Sequence, residues 1–260
     1  MIVTKKALFT VNKGVDFLYF WINSFLSEIL SLPLHQIFHA MKVVNFAKQN
    51  TVINQYVAEL RAVNIQKDRA RFRHNLARIG QMIAYEISKT LQYSEKMIET
   101  PLAMAKASTA DNEIVLSTIF RAGLPFHQGF LDVFDNAGNA FVSAYRYYKD
   151  KECKDVGIKI EYIASPDLTG KTLIIADPML ATGGSLELGY HAFCTKGVPA
   201  TVHLCCVIAA QKGVDYIKKA FADYDNVTLW CAAIDPELNE HCYIVPGLGD
   251  AGDLAYGDKL

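Results

Sequence analysis

The stretch Thr172-Leu-Ile-Ile-Ala176, running straight into Asp177-Pro-Met-Leu-Ala-Thr-Gly-Gly-Ser185, decides how this chain folds. The first part is an unbroken apolar run and reads as a buried strand. Leu186, Tyr190 and Phe193 follow at helical spacing. A strand, a turn of small residues and a helix start together make an anion cradle, because the backbone N–H groups from Ala181 to Ser185 converge there. Gly183 and Gly184 let the backbone close on a ligand without Cβ interference, while Thr182 and Ser185 add hydroxyls. Asp177 can only accept hydrogen bonds when ionised, so it suits sugar hydroxyls and not phosphate oxygens. The combination fits a sugar phosphate.

Working outward, Ile114–Ile119, Ala140–Tyr145, Val202–Ile208 and Val227–Cys231 are further short runs rich in β-branched or aromatic residues. Helical patterns separate them: Phe126, Phe130 and Phe134 before the cradle, then Val214, Ile217 and Phe221 after it. Strands alternating with helices predict an α/β fold, a mostly parallel sheet flanked by helices. Ligands collect at the C-terminal ends of strands in such sheets, which is where the cradle, Arg121 and Arg146 all fall. From Asp68 to Tyr93, Phe72, Leu76, Ile79, Ile83, Ile87 and Leu91 recur at steps of three and four, predicting one long amphipathic helix. Its basic residues, Lys67, Arg69, Arg71, Arg73 and Arg78, read as a solvated or subunit-contacting face. The charged excursion from Arg146 to Ile160 reads as a solvated β-ribbon or a lid.

At 260 residues and 51% hydrophobic content the chain can bury one large core. The expected organisation is an N-terminal extension over residues 1–40 and a single domain over 41–260. A formal charge of -1 supplies no global basic field, so neither nucleic acid nor a membrane is expected as a partner. Phe17–Leu32 is apolar but shorter than a membrane span and interrupted by polar residues. The six cysteines contain no CxxC pair, as expected of reduced core residues in a cytoplasmic protein. The histidines have no zinc-like spacing, so no protein-built metal site is expected.

Two motifs fail on context. Gly170-Lys-Thr172 precedes a strand, whereas a nucleotide-binding P-loop follows one, and Ser165 stands where its first glycine is needed. Gly247-Leu-Gly249-Asp-Ala-Gly252 matches GxGxxG, yet too few residues remain after it for a dinucleotide fold. Its glycines read better as a tight loop whose backbone approaches a flat ligand.

With these residues in hand, DPMLATGGS resembles the phosphoribosyl pyrophosphate (PRPP) loop of uracil phosphoribosyltransferases, members of the type I phosphoribosyltransferase group. Glu240-His-Cys-Tyr-Ile-Val-Pro-Gly-Leu-Gly-Asp-Ala-Gly252, followed by Asp253, resembles that family's uracil-binding hood. Ile119-Phe-Arg-Ala-Gly-Leu124 resembles the pyrophosphate-side loop, and Tyr145-Arg146 the start of a mobile loop. The likeness spans roughly residues 60 to 260 and implies conversion of uracil and PRPP to UMP and diphosphate. It implies PRPP contacts from Arg121, Arg146, Asp177, Pro178, Met179, Leu180, Ala181, Thr182, Gly183, Gly184, Ser185 and Asp250. Uracil contacts would come from Ile244, Gly249, Asp250 and Ala251, mainly through backbone groups, with Asp250 and Arg146 closest to the chemistry. Mg²⁺ would arrive with the diphosphate, homo-oligomers are usual, and GTP is an activator in parts of the family. Asp253 is expected to be a turn residue only. The chain departs from the family pattern at Pro125, where glycine is common, and at Tyr147-Tyr148-Lys149-Asp150 in the lid. Two other readings stand beside this one: a nucleotide-sensing regulator with the same fold and little turnover, and the same chemistry on another base.

Overall fold

In the computed structural model the residues described are 41–148 and 156–258, with the side chains of 144–160 left aside. The first forty residues, the last two and, within the charged excursion Arg146–Ile160, residues 149–155 therefore lie outside the described residues. Strands β1 (Lys42–Asn45), β4 (Ile114–Phe120), β5 (Gly138–Tyr148), β6 (Val156–Ala164), β7 (Thr172–Ala176), β9 (Thr201–Ala210) and β10 (Val227–Asp235) form the main sheet. Their order is β1-β10-β9-β7-β4-β5-β6, with the short β8 (Met179–Leu180) pairing with β9. Every pairing is parallel except β5 with β6, which is antiparallel. The mostly parallel α/β sheet is thus as expected, and the β5–β6 pairing makes the described part of the charged excursion a ribbon.

Thr172 to Ala176 are all buried, which is the environment a strand covered on both faces requires. Helices α1 (Val52–Arg61), α2 (Arg69–Ser88) and α3 (Gly123–Leu131) pack on one cluster with Phe72, Leu76, Ile79, Phe126 and Phe130. Helices α4 (Gly184–Cys194) and α5 (Gln211–Ala220) contribute Leu186, Tyr190, Phe193, Val214 and Ile217 to a second. Two apolar layers therefore sandwich the sheet. Pro125 sits in the first turn of α3, where a missing N–H costs nothing.

The helix expected over Asp68–Tyr93 stops at Ser88. Ser88 Oγ donates to the carbonyl of Tyr85 and Thr90 Oγ1 to that of Ile87, so hydroxyls take over the last-turn carbonyls. The chain then enters a hairpin of β2 (Tyr93–Glu99) and β3 (Met104–Ala110), paired only with each other. Nor is the basic face of α2 simply solvated. Arg73 donates to the carbonyl of Ala255 at 2.7 Å, and Arg78 lies over the Tyr56 ring. Amphipathic spacing marks a buried stripe but does not say what meets the other side.

A second hairpin, β11 (Glu237–Leu238) with β12 (Ile244–Val245), and the short helix α6 (Ala251–Tyr256) complete the chain. They form the hood. No helix among the described residues is long and apolar enough to cross a membrane. Cys205, Cys206 and Cys231 are free and buried, and burial pushes the thiols of Cys205 and Cys206 up. Such thiols are core residues, not nucleophiles.

Candidate active site

Register brings the expected loops to one edge of the sheet. Thr118 on β4 is opposite Ala176 on β7, so the chain leaving β4 at Arg121 and the chain leaving β7 at Asp177 emerge side by side. Leu180 is opposite Ala209, and Ala210 is opposite Asp235, which carries the edge on to the ends of β9 and β10. Ala181 from the cradle and Ile244, Leu248 and Ala251 from the hood belong to the same buried cluster. The two motifs therefore share one end of the fold.

The cradle is shaped by close backbone packing. Helix α4 starts at Gly184 with Gly183 as its cap, and no side chain caps it. Its first-turn N–H groups thus lack an intrahelical partner, which favours an anion at that end. Gly183 has φ +94°, a left-handed conformation, and a Cβ there would lie 2.5 Å from Cδ1 of Tyr216. Tyr216, on α5, is held in turn by donating its hydroxyl to Glu187 on α4 at 2.5 Å. Gly213 is equally constrained, since a Cβ on it would overlap the carbonyl oxygen of Ala181. Helix α5 therefore buttresses the cradle. Nothing in the sequence reading gives it that part; Gly213, on the buried stripe with Val214 and Ile217, is the signal.

Asp177 is half-buried and its Oδ1 accepts the N–H of Met179 at 3.2 Å, orienting the carboxylate at the strand end. Pro178 is buried, and its carbonyl accepts the N–H groups of Val207 and Ile208, tying the turn to β9. Arg121 Nη2 pairs with Asp253 Oδ1 at 2.8 Å, and Nη1 donates to the carbonyl of Gly257 at 3.3 Å. Its Nε is buried without a hydrogen-bond partner, a donor still to be satisfied. Asp253 is therefore more than a turn residue: it ties the pyrophosphate-side loop to the hood. The turn role belongs to Asp250, whose Oδ1 accepts the N–H groups of Gly252 and Asp253 at 2.8 and 3.0 Å and caps α6.

Of the expected uracil contacts, Ile244 and Ala251 are buried, Asp250 is half-buried and Gly249 is exposed. Gly249 and Asp250 line a cavity of about 470 Å³ with Lys67, Arg69 and Asp253. Arg146 sits on β5 opposite Ile158 of β6, and its side chain lies outside those described. Among the described residues no group of three or more His, Cys, Asp or Glu side chains could hold a metal ion.

The comparisons agree with this arrangement. The family model for uracil phosphoribosyltransferase matches residues 47–258. The uracil phosphoribosyltransferase of Porphyromonas gingivalis is 56% identical over 220 residues, 85% of this chain and 100% of that protein. That of Methanothermobacter thermautotrophicus is 36% identical, covering 80% of this chain and 93% of its own. The solved structure of the AQ2163 protein from Aquifex aeolicus superposes with a TM-score of 0.72 at 32% identity, over 83% of this chain and 98% of that one. A strand-to-helix cradle, a glycine-rich hood beside it and full-length matches of this kind leave one conclusion: the chain belongs to the uracil phosphoribosyltransferase family.

Proposed function

We propose that this enzyme transfers the phosphoribosyl group of PRPP to uracil, giving UMP and diphosphate. The observation that supports the proposal is the uncapped start of α4 at the sheet edge from which the hood also departs, with Ala181 of the cradle and Ile244, Leu248 and Ala251 of the hood in one buried cluster. Relatives carrying this name are enzymes by that name, and they lend nothing to the regulator reading.

Breaking the bond from ribose C1 to diphosphate builds positive charge on the sugar. The work of the protein is to hold both ends of the donor while that happens. Backbone N–H groups from Ala181 to Ser185, with the hydroxyls of Thr182 and Ser185, bind the 5′-phosphate; Asp177 accepts from the ribose hydroxyls. Pro178, Met179 and Leu180 fix the turn. Arg121, on giving up its contacts with Asp253 and the Gly257 carbonyl, and Arg146, from the ribbon, would meet the diphosphate through guanidinium forks. Backbone groups at Ile244, Gly249 and Ala251 read uracil, and Asp250 bridges the two substrates. Cytosine is refused because a backbone donor aimed at uracil O4 would face an amino group.

Mg²⁺ would be held mainly by the diphosphate oxygens of the substrate, with Asp177 left to the ribose hydroxyls. When bound, Mg²⁺ lowers the charge of the leaving diphosphate. We place the enzyme in the cytoplasm as a homo-oligomer. The deciding experiment incubates labelled uracil with PRPP and Mg²⁺, with cytosine, orotate and hypoxanthine as parallel acceptors and GTP present or absent. Label in UMP alone is expected. Equal use of another base refutes the assignment, and a rate unmoved by GTP removes it as an effector.

A further inference from the structure

The hood's glycine run is aimed by side chains far from it in sequence. Asp235, at the end of β10, is buried, and its two carboxylate oxygens accept from the two terminal nitrogens of Arg61 on α1, each at 2.7 Å. Oδ2 also accepts the backbone N–H of Gly247 at 2.8 Å, while Arg61 Nη1 donates to the carbonyl of Gly247 at 3.1 Å. One forked ion pair therefore consumes both backbone polar groups of a single glycine. Gln66, in the turn between α1 and α2, donates through Nε2 to the carbonyl of Leu248 at 3.1 Å and to that of Leu60 at 2.8 Å.

Peptide planarity carries these contacts forward. In a trans peptide the C=O and the next N–H point in opposite directions. The Leu248–Gly249 bond is not among the cis peptides of this chain. Gln66, by holding the carbonyl of Leu248, thus sets the direction of the Gly249 N–H, and Arg61 does the same for the Leu248 N–H. On the far side, Asp253 is tied to Arg121 and Ala255 to Arg73. Gly249, Asp250 and Ala251 hang between two anchored stretches. Gly247 itself has φ +57°, and a Cβ would overlap the carbonyl oxygen of Ile244, so the anchor point admits only glycine without rearrangement.

We infer that Arg61, Asp235 and Gln66 are positioning residues that pre-aim the base-reading peptide of the hood before uracil arrives. The inference rests on the hood being the uracil seat, as proposed above. Preorganised donors save the ordering cost of binding, and Gln66 and Arg61 aim the Gly249 and Leu248 N–H groups, whereas the Asp250 carboxylate is held separately by the N–H groups of Gly252 and Asp253, so the effect should appear in uracil affinity and not in the handling of PRPP.

The test is steady-state kinetics on wild type, Gln66→Glu, Gln66→Leu and Arg61→Lys. Gln66→Glu keeps the shape but cannot donate when ionised, and Arg61→Lys keeps the charge but loses the fork. Both Gln66 variants should raise the KM for uracil about 5- to 20-fold, with kcat and the KM for PRPP within about twofold of wild type. Arg61→Lys should move the same constant in the same direction. An unmoved uracil KM, or an equal rise in both KM values, overturns the inference. Wild-type protein that makes no UMP from uracil and PRPP overturns instead the site assignment beneath it.

Discussion

Replacing Gly183 with alanine should damage the phosphate seat through two separable effects. At φ +94° a Cβ costs about 1–2 kcal/mol in backbone strain alone. The new methyl would also lie 2.5 Å from Cδ1 of Tyr216, about an ångström inside normal contact, so the ring must swing away. Swinging it breaks the 2.5 Å hydrogen bond to Glu187, worth about 1–2 kcal/mol for a bond to a charged group at an exposed position. The total is about 2–4 kcal/mol. Tyr216→Ala removes the ring, so in that background Gly183→Ala should cost only the strain, leaving a coupling of about 1–2 kcal/mol. Urea unfolding of the four proteins measures the cycle, and the KM for PRPP in each shows whether the loop geometry follows. A Gly183→Ala penalty that is the same with and without Tyr216 would refute the clash. A wild-type KM for PRPP in Gly183→Ala would show that the cradle does not depend on this packing.

Other residues offer sharper separations. Asp250→Ala should lose a helix cap worth about 1 kcal/mol and most UMP formation, whereas Asp250→Ser should recover the cap but not the turnover; activity in the serine variant would make Asp250 structural only. Arg146→Ala should abolish turnover with an unchanged circular dichroism spectrum, and surviving activity would remove Arg146 from the diphosphate. His203 accepts a hydrogen bond from Trp230 through Nδ1, and burial, with Lys42 nearby, depresses its pKa from 6.5 to about 4. The unfolded chain therefore binds a proton that the native state refuses, so stability is full above about pH 6.5 and falls by about 3 kcal/mol as pH drops toward 4. Urea unfolding across that window should show a shallower decline in His203→Gln, and parallel curves would rule His203 out as the cause.

Much of this could be read from the chain because it depends on local order. An apolar run, small residues and a helix start must form a strand, a turn and an N-terminus wherever they occur, and Thr172 to Cys194 does so. The hood was legible for a related reason: dense glycines announce a backbone that must pass close to something. Unreadable were the contacts that cross long stretches of sequence. Asp253 reads as a turn residue because local chemistry allows it, and only folding sets Arg121 beside it. The basic stripe of α2 reads as a solvated or subunit-contacting face because its periodicity cannot reveal that α6 docks there.

Local composition alone determined that a strand, a small-residue turn and a helix start follow one another from Thr172 to Cys194 and that a glycine-rich turn precedes α6, because backbone donors and glycine turns are properties of adjacent residues. Tertiary structure alone decided what aims those groups: α5 against the cradle, and Arg61, Asp235 and Gln66 against the hood. The reason is physical. Strand pairing and helix packing choose which distant side chains meet, and a charge or an amide acts on a loop only once burial has brought it within hydrogen-bond reach.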